Sequence, residues 1–134
     1  SAKNAATARD MGLIAATIFT DPRLLPAWAC TERTLQIEGK RPRAVALKTS
    51  LEILGDESVI GAKTGSYISK GIFNLVAAWR APNGQTIVGV VLGSKSDAAR
   101  YAEMRGFIEA APKDFEQLRG AAVAARPPPT SECN

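Results

Sequence analysis

The 134 residues contain no histidine. That excludes a Ser-His-Asp or Cys-His catalytic set within the chain, and any imidazole metal site. Cysteine is almost as scarce: Cys30 and Cys133 stand far apart, which rules out a zinc-ribbon pattern. No apolar run approaches the ~20 residues of a membrane-spanning helix. Aromatic residues make up only 6% of the chain, and none interleaves its one basic cluster of Lys40, Arg41, Arg43 and Lys48. With a net charge of only +4, that cluster reads as a solvated loop and no nucleic-acid partner is expected. Nothing in the sequence calls for a cofactor or a metal. What is present is an ordinary globular mixture, 46% hydrophobic and 22% charged, in a length suited to one domain or part of one. The chain opens Ser1-Ala2-Lys3-Asn4, with no initiator Met and no signal peptide, so it is expected to be a processed chain or a piece of something larger.

Hydrophobic spacing predicts the elements. Met11, Ile14, Ala15 and Ile18 recur at intervals of three and four, giving a helix over 5–19, and Thr7 with Asp10 forms a capping box at its start. Asp21-Pro22 is expected to open a short second helix that buries Leu24, Leu25 and Trp28. Thr31 to Ile37 reads as a strand, 38–42 as a turn, and Val45 to Leu54 as a loop with a short helical turn. Val59–Thr64, Ile72–Arg80 and Thr86–Leu92 read as an antiparallel three-stranded meander over 59–92, with Pro82-Asn83-Gly84 as its second hairpin turn. The near-continuous apolar run of the last strand suits a strand covered on both faces. A helix from Asp97 to Ala110 follows, with Tyr101, Met104 and Ile108 on one face and Ala98 and Phe107 at its edges. The fold class is therefore α/β of the α+β type. The domain is expected to occupy 1–111, followed by an Ala-, Arg- and Pro-rich tail over 112–134.

Chemistry concentrates in one tripeptide, Lys63-Thr64-Gly65, at the end of the first meander strand. A phosphate-binding loop is rejected because Ala62 stands where that motif requires glycine. The plain alternative is a surface lysine at a strand end. The flanking residues are Val59-Ile60-Gly61-Ala62 before the tripeptide, Gly71-Ile72-Phe73-Asn74-Leu75-Val76-Ala77 after it, then Val90-Val91-Leu92-Gly93-Ser94 and Arg100 in the last helix. Together with Thr7-Ala8-Arg9-Asp10-Met11 upstream, they resemble the low-molecular-mass D-alanyl-D-alanine carboxypeptidases of the penicillin-binding protein and serine β-lactamase superfamily, in order and at compatible spacing over about residues 1–110. Ile60 stands where that family usually has Asp, and Lys48 and Ser50 stand where it has Asn.

The resemblance implies the serine β-lactamase and penicillin-binding-protein fold and acyl transfer on peptidoglycan stem peptides, with β-lactams as mimics. It implies an extracytoplasmic, periplasmic setting and no cofactor. Lys63 would place a positive charge beside the substrate's terminal carboxylate and assist proton movement, and Thr64 would hydrogen-bond that carboxylate. Gly65 would let the peptide backbone approach, and the backbone N–H of Ser66 would be an oxyanion donor. Lys48 is a further candidate for the carboxylate, with a solvated loop lysine as the alternative. The Ser66 hydroxyl has no lysine or histidine partner in the sequence and is discounted as the nucleophile. No serine of the chain has Lys three places on, or Asn two places on. The family's nucleophile motif, Ser-x-x-Lys, and its second motif, Ser-x-Asn, both precede the matching segment. The chain is therefore expected to be the C-terminal part of a transpeptidase-like domain, with the missing N-terminal segment as its partner and no activity of its own. Two other readings stay open: a noncatalytic module that binds murein peptides or a partner protein, and a fragment of a related β-lactamase. An exported protein permits a Cys30–Cys133 disulfide; the alternative is a buried free Cys30.

Overall fold

The computed structural model describes residues 5–115, with side chains as far as residue 111. Helix α1 spans Ala8–Thr20 and α2 spans Leu25–Ala29; strands β1 (Glu32–Ile37) and β2 (Arg43–Lys48) form a hairpin; strands β3 (Val59–Tyr67), β4 (Ile72–Arg80) and β5 (Thr86–Ser94) form an antiparallel sheet in that order; helix α3 spans Asp97–Phe115.

The capping box is formed as the sequence predicts. The Asp10 amide donates to Thr7 Oγ1 at 3.2 Å, and the Thr7 amide donates to Asp10 Oδ2 at 2.9 Å. The Thr7 backbone N–H and then the Thr7 hydroxyl hold the Asp10 carboxyl below its ordinary value. The contribution is therefore complete above the usual carboxylate range and disappears as pH falls through the lowered value. Thr7→Ala is expected to cost about 1 kcal/mol in a denaturant titration near neutral pH. An unchanged midpoint would mean the cap is not used.

The sheet separates two apolar clusters. On one face, Ala15 and Phe19 of α1 pack with Ile60, Val76 and Ala78, and Phe19 meets Trp28 edge-on at 5.7 Å. On the other, Tyr101 and Met104 of α3 pack with Val59, Ala62, Leu75, Ala77, Trp79, Ile87 and Val91. Strand β5 divides its residues between the two, Ile87 and Val91 toward α3 and Val88 and Val90 toward α1. This is the strand covered on both faces that its apolar run predicts. Gly89 is required by this packing: a Cβ there would lie 2.7 Å from Met104 Sδ and 2.8 Å from the Trp79 ring. Ile60 is 6% exposed and belongs to the α1 cluster, so an ionised Asp there would be buried among hydrocarbon.

Several expectations are corrected. Val45–Lys48, the first part of the stretch expected as a loop with a short helical turn, belong to strand β2, which pairs with β1 from Glu32↔Lys48 to Ile37↔Arg43; the helical turn is present further on, at Glu52–Gly55. Asp21 does not cap α2. Its backbone N–H closes α1 on Thr17 O, and its carboxylate accepts from the Arg23 amide at 2.8 Å, so Pro22 lies in a turn and α2 begins only at Leu25. Leu24 (43% exposed) stands outside the core rather than within it, whereas Phe107 (47% exposed) lies at the edge of its helix face as expected. The second hairpin does turn at Pro82-Asn83-Gly84 as expected: Ala81 pairs with Gln85 across it, and Gly84 takes a positive φ, +81°. Helix α3 runs to Phe115, past its expected end at Ala110. The tail from residue 116 onward, Cys133 included, lies outside the described residues.

Candidate functional site

Among the described residues strand β3 pairs with β4 alone, so one side of its backbone is open to them. Lys63, Thr64 and Gly65 lie in the outer half of this open strand, opposite Val76, Leu75 and Asn74. Strand alternation sorts them. Lys63 shares a face with Val76, on the α1 side; Thr64 shares a face with Leu75, on the α3 side. On the α1 side a largely apolar cleft of about 470 Å³ is walled by Met11, Ile14 and Ile18 of α1 and by Trp28 of α2, with Lys63, Thr64, Gly65 and Asn74 on the sheet side. Lys63 is exposed, and its ammonium donates to the Thr64 carbonyl at 2.6 Å. A cation thus sits beside an unpaired strand edge at the border of an apolar cleft. That arrangement suits an extended peptide ending in a carboxylate: backbone pairs with backbone and the charge meets the terminus.

Gly65 adds an independent observation. A Cβ built on it would meet none of the described residues within 4 Å, and its φ is not positive. Neither local packing nor backbone conformation demands glycine, so the space beside it is free for a second backbone. Gly65→Ala is therefore expected to leave thermal stability unchanged or slightly raised. A clear drop in the melting midpoint would show that the glycine serves the fold.

Ser66 is placed differently from the tripeptide. Its hydroxyl lies on the α3 face and accepts from Arg100 Nη1 at 2.8 Å, whereas Lys63 is on the other face. The chain does not bring the Ser66 hydroxyl and the Lys63 ammonium together as a nucleophile and its base. Lys48 is likewise apart. It sits at the end of β2 opposite Glu32 and lines a second depression with Arg23, Cys30, Arg33 and Leu47, not the cleft at Lys63.

Arg100 is the residue that the sequence reading did not single out as part of the site. It is 6% exposed. Its guanidinium donates to Ser66 Oγ and, at 3.3 Å, to the Asn74 carbonyl, pairs with Asp97, and lies over the rings of Phe73 and Tyr101 at 5.7 and 5.1 Å. Its Nε is buried without a hydrogen-bond partner among the described residues. One side chain thereby ties α3 to the outer ends of β3 and β4, next to the tripeptide. The Asn74 side chain extends the tie by accepting from the Gly93 amide at 2.9 Å. The signal in the sequence was an arginine adjacent to the apolar stripe of Tyr101 and Met104, which does not by itself distinguish a buried cation from a solvated one.

Among the described residues no group of three or more Asp, Glu and Cys side chains is arranged to hold a metal, and no helix is long and apolar enough to cross a membrane.

No protein-family model and no curated protein matches the sequence. Among solved structures, a point mutant of the Streptomyces K15 DD-transpeptidase matches with a TM-score of 0.73 and 25% sequence identity, over 81% of this chain. This chain spans 43% of that chain's length. The sheet with Lys63-Thr64-Gly65 on its open strand, the helices against its two faces and this likeness agree: the chain has the fold of the penicillin-binding DD-peptidases.

Proposed function

We propose that this chain forms the Lys-Thr-Gly side of a serine D-Ala-D-Ala carboxypeptidase site acting on peptidoglycan stem peptides outside the cytoplasm. The observation that carries the reading is Lys63-Thr64-Gly65 on an open strand edge beside the cleft, with space next to Gly65 for a second backbone. The stem peptide, or a β-lactam in its place, would lie antiparallel along β3. Lys63 would neutralise the terminal carboxylate, and Thr64, which also borders the cleft, would hydrogen-bond it from the strand edge. The Ser66 backbone N–H would donate to the oxyanion as the acyl carbonyl is attacked. Arg100 would act as a positioning residue, fixing the end of β3 through Ser66. The attacking serine and its lysine would come from a Ser-x-x-Lys segment outside this chain, which would complete the site as its partner. The serine hydroxyl would add to the carbonyl between the two D-alanines, D-alanine would leave with the proton, and water would release the acyl group.

Two measurements test this. The chain by itself, incubated with a fluorescent penicillin, should carry no adduct in the intact mass; an adduct would place a nucleophile on this chain. Extended to include the upstream nucleophile segment, it should release D-alanine from a peptide ending in D-Ala-D-Ala. Peptide binding without release would favour the noncatalytic murein-binding module, and neither binding nor release would overturn the reading.

The Cys30–Cys133 disulfide belongs to the same proposal, since it follows from export. Neither thiol should react with a maleimide before reduction, and both should react after it. Immediate labelling of Cys30 in the oxidised protein would remove it.

A further inference from the structure

The β1–β2 hairpin has no role in the cleft and little packing of its own. Its strands pack mainly on each other, and neither contains a buried residue. A two-stranded ribbon standing free in water is marginal, and ordinarily it is the polar face that water covers. Here neither face is covered by the described residues. The register sorts the ribbon cleanly: Arg33↔Leu47, Leu35↔Val45 and Ile37↔Arg43 share one face, and Glu32↔Lys48, Thr34↔Ala46 and Gln36↔Ala44 share the other. The first face is therefore aliphatic in the middle, with Leu35, Ile37 and Leu47 at 39, 37 and 47% exposure, and it carries an arginine at each end. Lys40 and Arg41 in the turn extend the charge. From Glu32 to Lys48 the segment holds five cations and two carboxylates, and neither carboxylate is on the aliphatic face.

We propose that this face of the hairpin docks on a lipid bilayer bearing anionic headgroups. The argument is complementarity of both kinds within one small area. An anionic bilayer surface presents phosphates and, a few ångströms deeper, hydrocarbon; the ribbon presents arginines and, between them, four aliphatic side chains. Leu35, Ile37, Val45 and Leu47 reach the acyl boundary, while Arg33, Arg41 and Arg43 stay at headgroup level on their long stems. This inference does not rest on the proposed peptidase activity, because the hairpin shares no residue with the cleft.

The test is co-sedimentation of the whole chain with vesicles of phosphatidylglycerol and phosphatidylcholine in equal parts, against vesicles of phosphatidylcholine alone. Partition into the anionic vesicles only, weakened at about 0.5 M salt where charges are screened over a few ångströms, is expected. Arg41→Gln with Arg43→Gln should weaken it roughly 30-fold, since each surface cation contributes about fivefold. Leu35→Ser with Leu47→Ser should weaken it about tenfold or more. Thr34→Ser with Ala46→Ser, on the opposite face, should leave it unchanged, and this pair separates a docking face from a hairpin that has simply unfolded. Equal partition into neutral vesicles, no partition into anionic ones, or the same loss from substitutions on both faces would overturn the proposal. Binding to soluble polyglutamate without partition into anionic vesicles would overturn it as well and assign the face to an acidic protein.

Discussion

Alanine at Lys63, in a chain extended through the nucleophile segment, is expected to slow acylation by penicillin a few hundredfold while leaving the fold intact. The size follows from what the ammonium does. It sits at an open strand edge, and its one hydrogen bond is to the neighbouring Thr64 carbonyl, so the folded chain does not depend on it. Its value would lie in stabilising charge on the bound substrate and in the proton movement of the transition state, where removal of a preorganised group costs about 3–4 kcal/mol. Stability and acylation should therefore separate. The melting midpoint of Lys63→Ala should match the parent's while the acylation rate falls. Unchanged acylation would refute the role given to Lys63, and a lowered midpoint would make the residue structural.

Trp79→Ala is expected to have the opposite signature, a loss of about 3–5 kcal/mol of stability. Trp79 is 2% exposed in the centre of β4 and packs in the cluster beneath α3, with Gly89 and Met104 against its ring. Removing it leaves a cavity between the sheet and α3 that β4 and β5 are too tightly paired to close. For a domain of this size the melting midpoint should fall by roughly 12 °C or more. Trp79→Phe should cost much less, because the indole Nε1 is buried with no hydrogen-bond partner among the described residues, and its removal relieves an unsatisfied donor. Equal losses from the two substitutions would show that the donor has a partner.

The meander and α1 were legible because their burial repeats. Met11 and Ala15 mark a helix face, with Ile18 bordering the cleft and Ile14 of the same expected stripe 51% exposed, and the run from Ile87 to Val91 marks a strand covered twice. Strand β2 was not legible, since Arg43-Ala44-Val45-Ala46-Leu47-Lys48 has no buried face; its shape comes from hairpin pairing with β1 across the turn, which periodicity does not announce. Lys63, Thr64 and Gly65 were legible as a motif, and the structure adds what a motif lacks: an open edge, a cleft and vacant space beside Gly65. The structure also separates side chains that the sequence leaves unplaced. Ser66 is three residues from Lys63 yet faces Arg100 across the sheet, and Lys48 lines a different depression. Arg100, which ties the site end of the sheet to α3, became visible only when its burial was known.

The central claim is that the open edge at Lys63-Thr64-Gly65 receives a peptide ending in D-Ala-D-Ala, and amide chemical-shift mapping on the chain as it stands tests it most directly. Titration with a diacylated Lys-D-Ala-D-Ala peptide should move the amide signals of Lys63, Thr64, Gly65 and Ser66, and Lys63→Ala should abolish the movement. The same peptide ending in L-Ala-L-Ala should have little effect. Signals of β3 that stay still at saturating peptide, or that move equally with the L-peptide, would contradict the account.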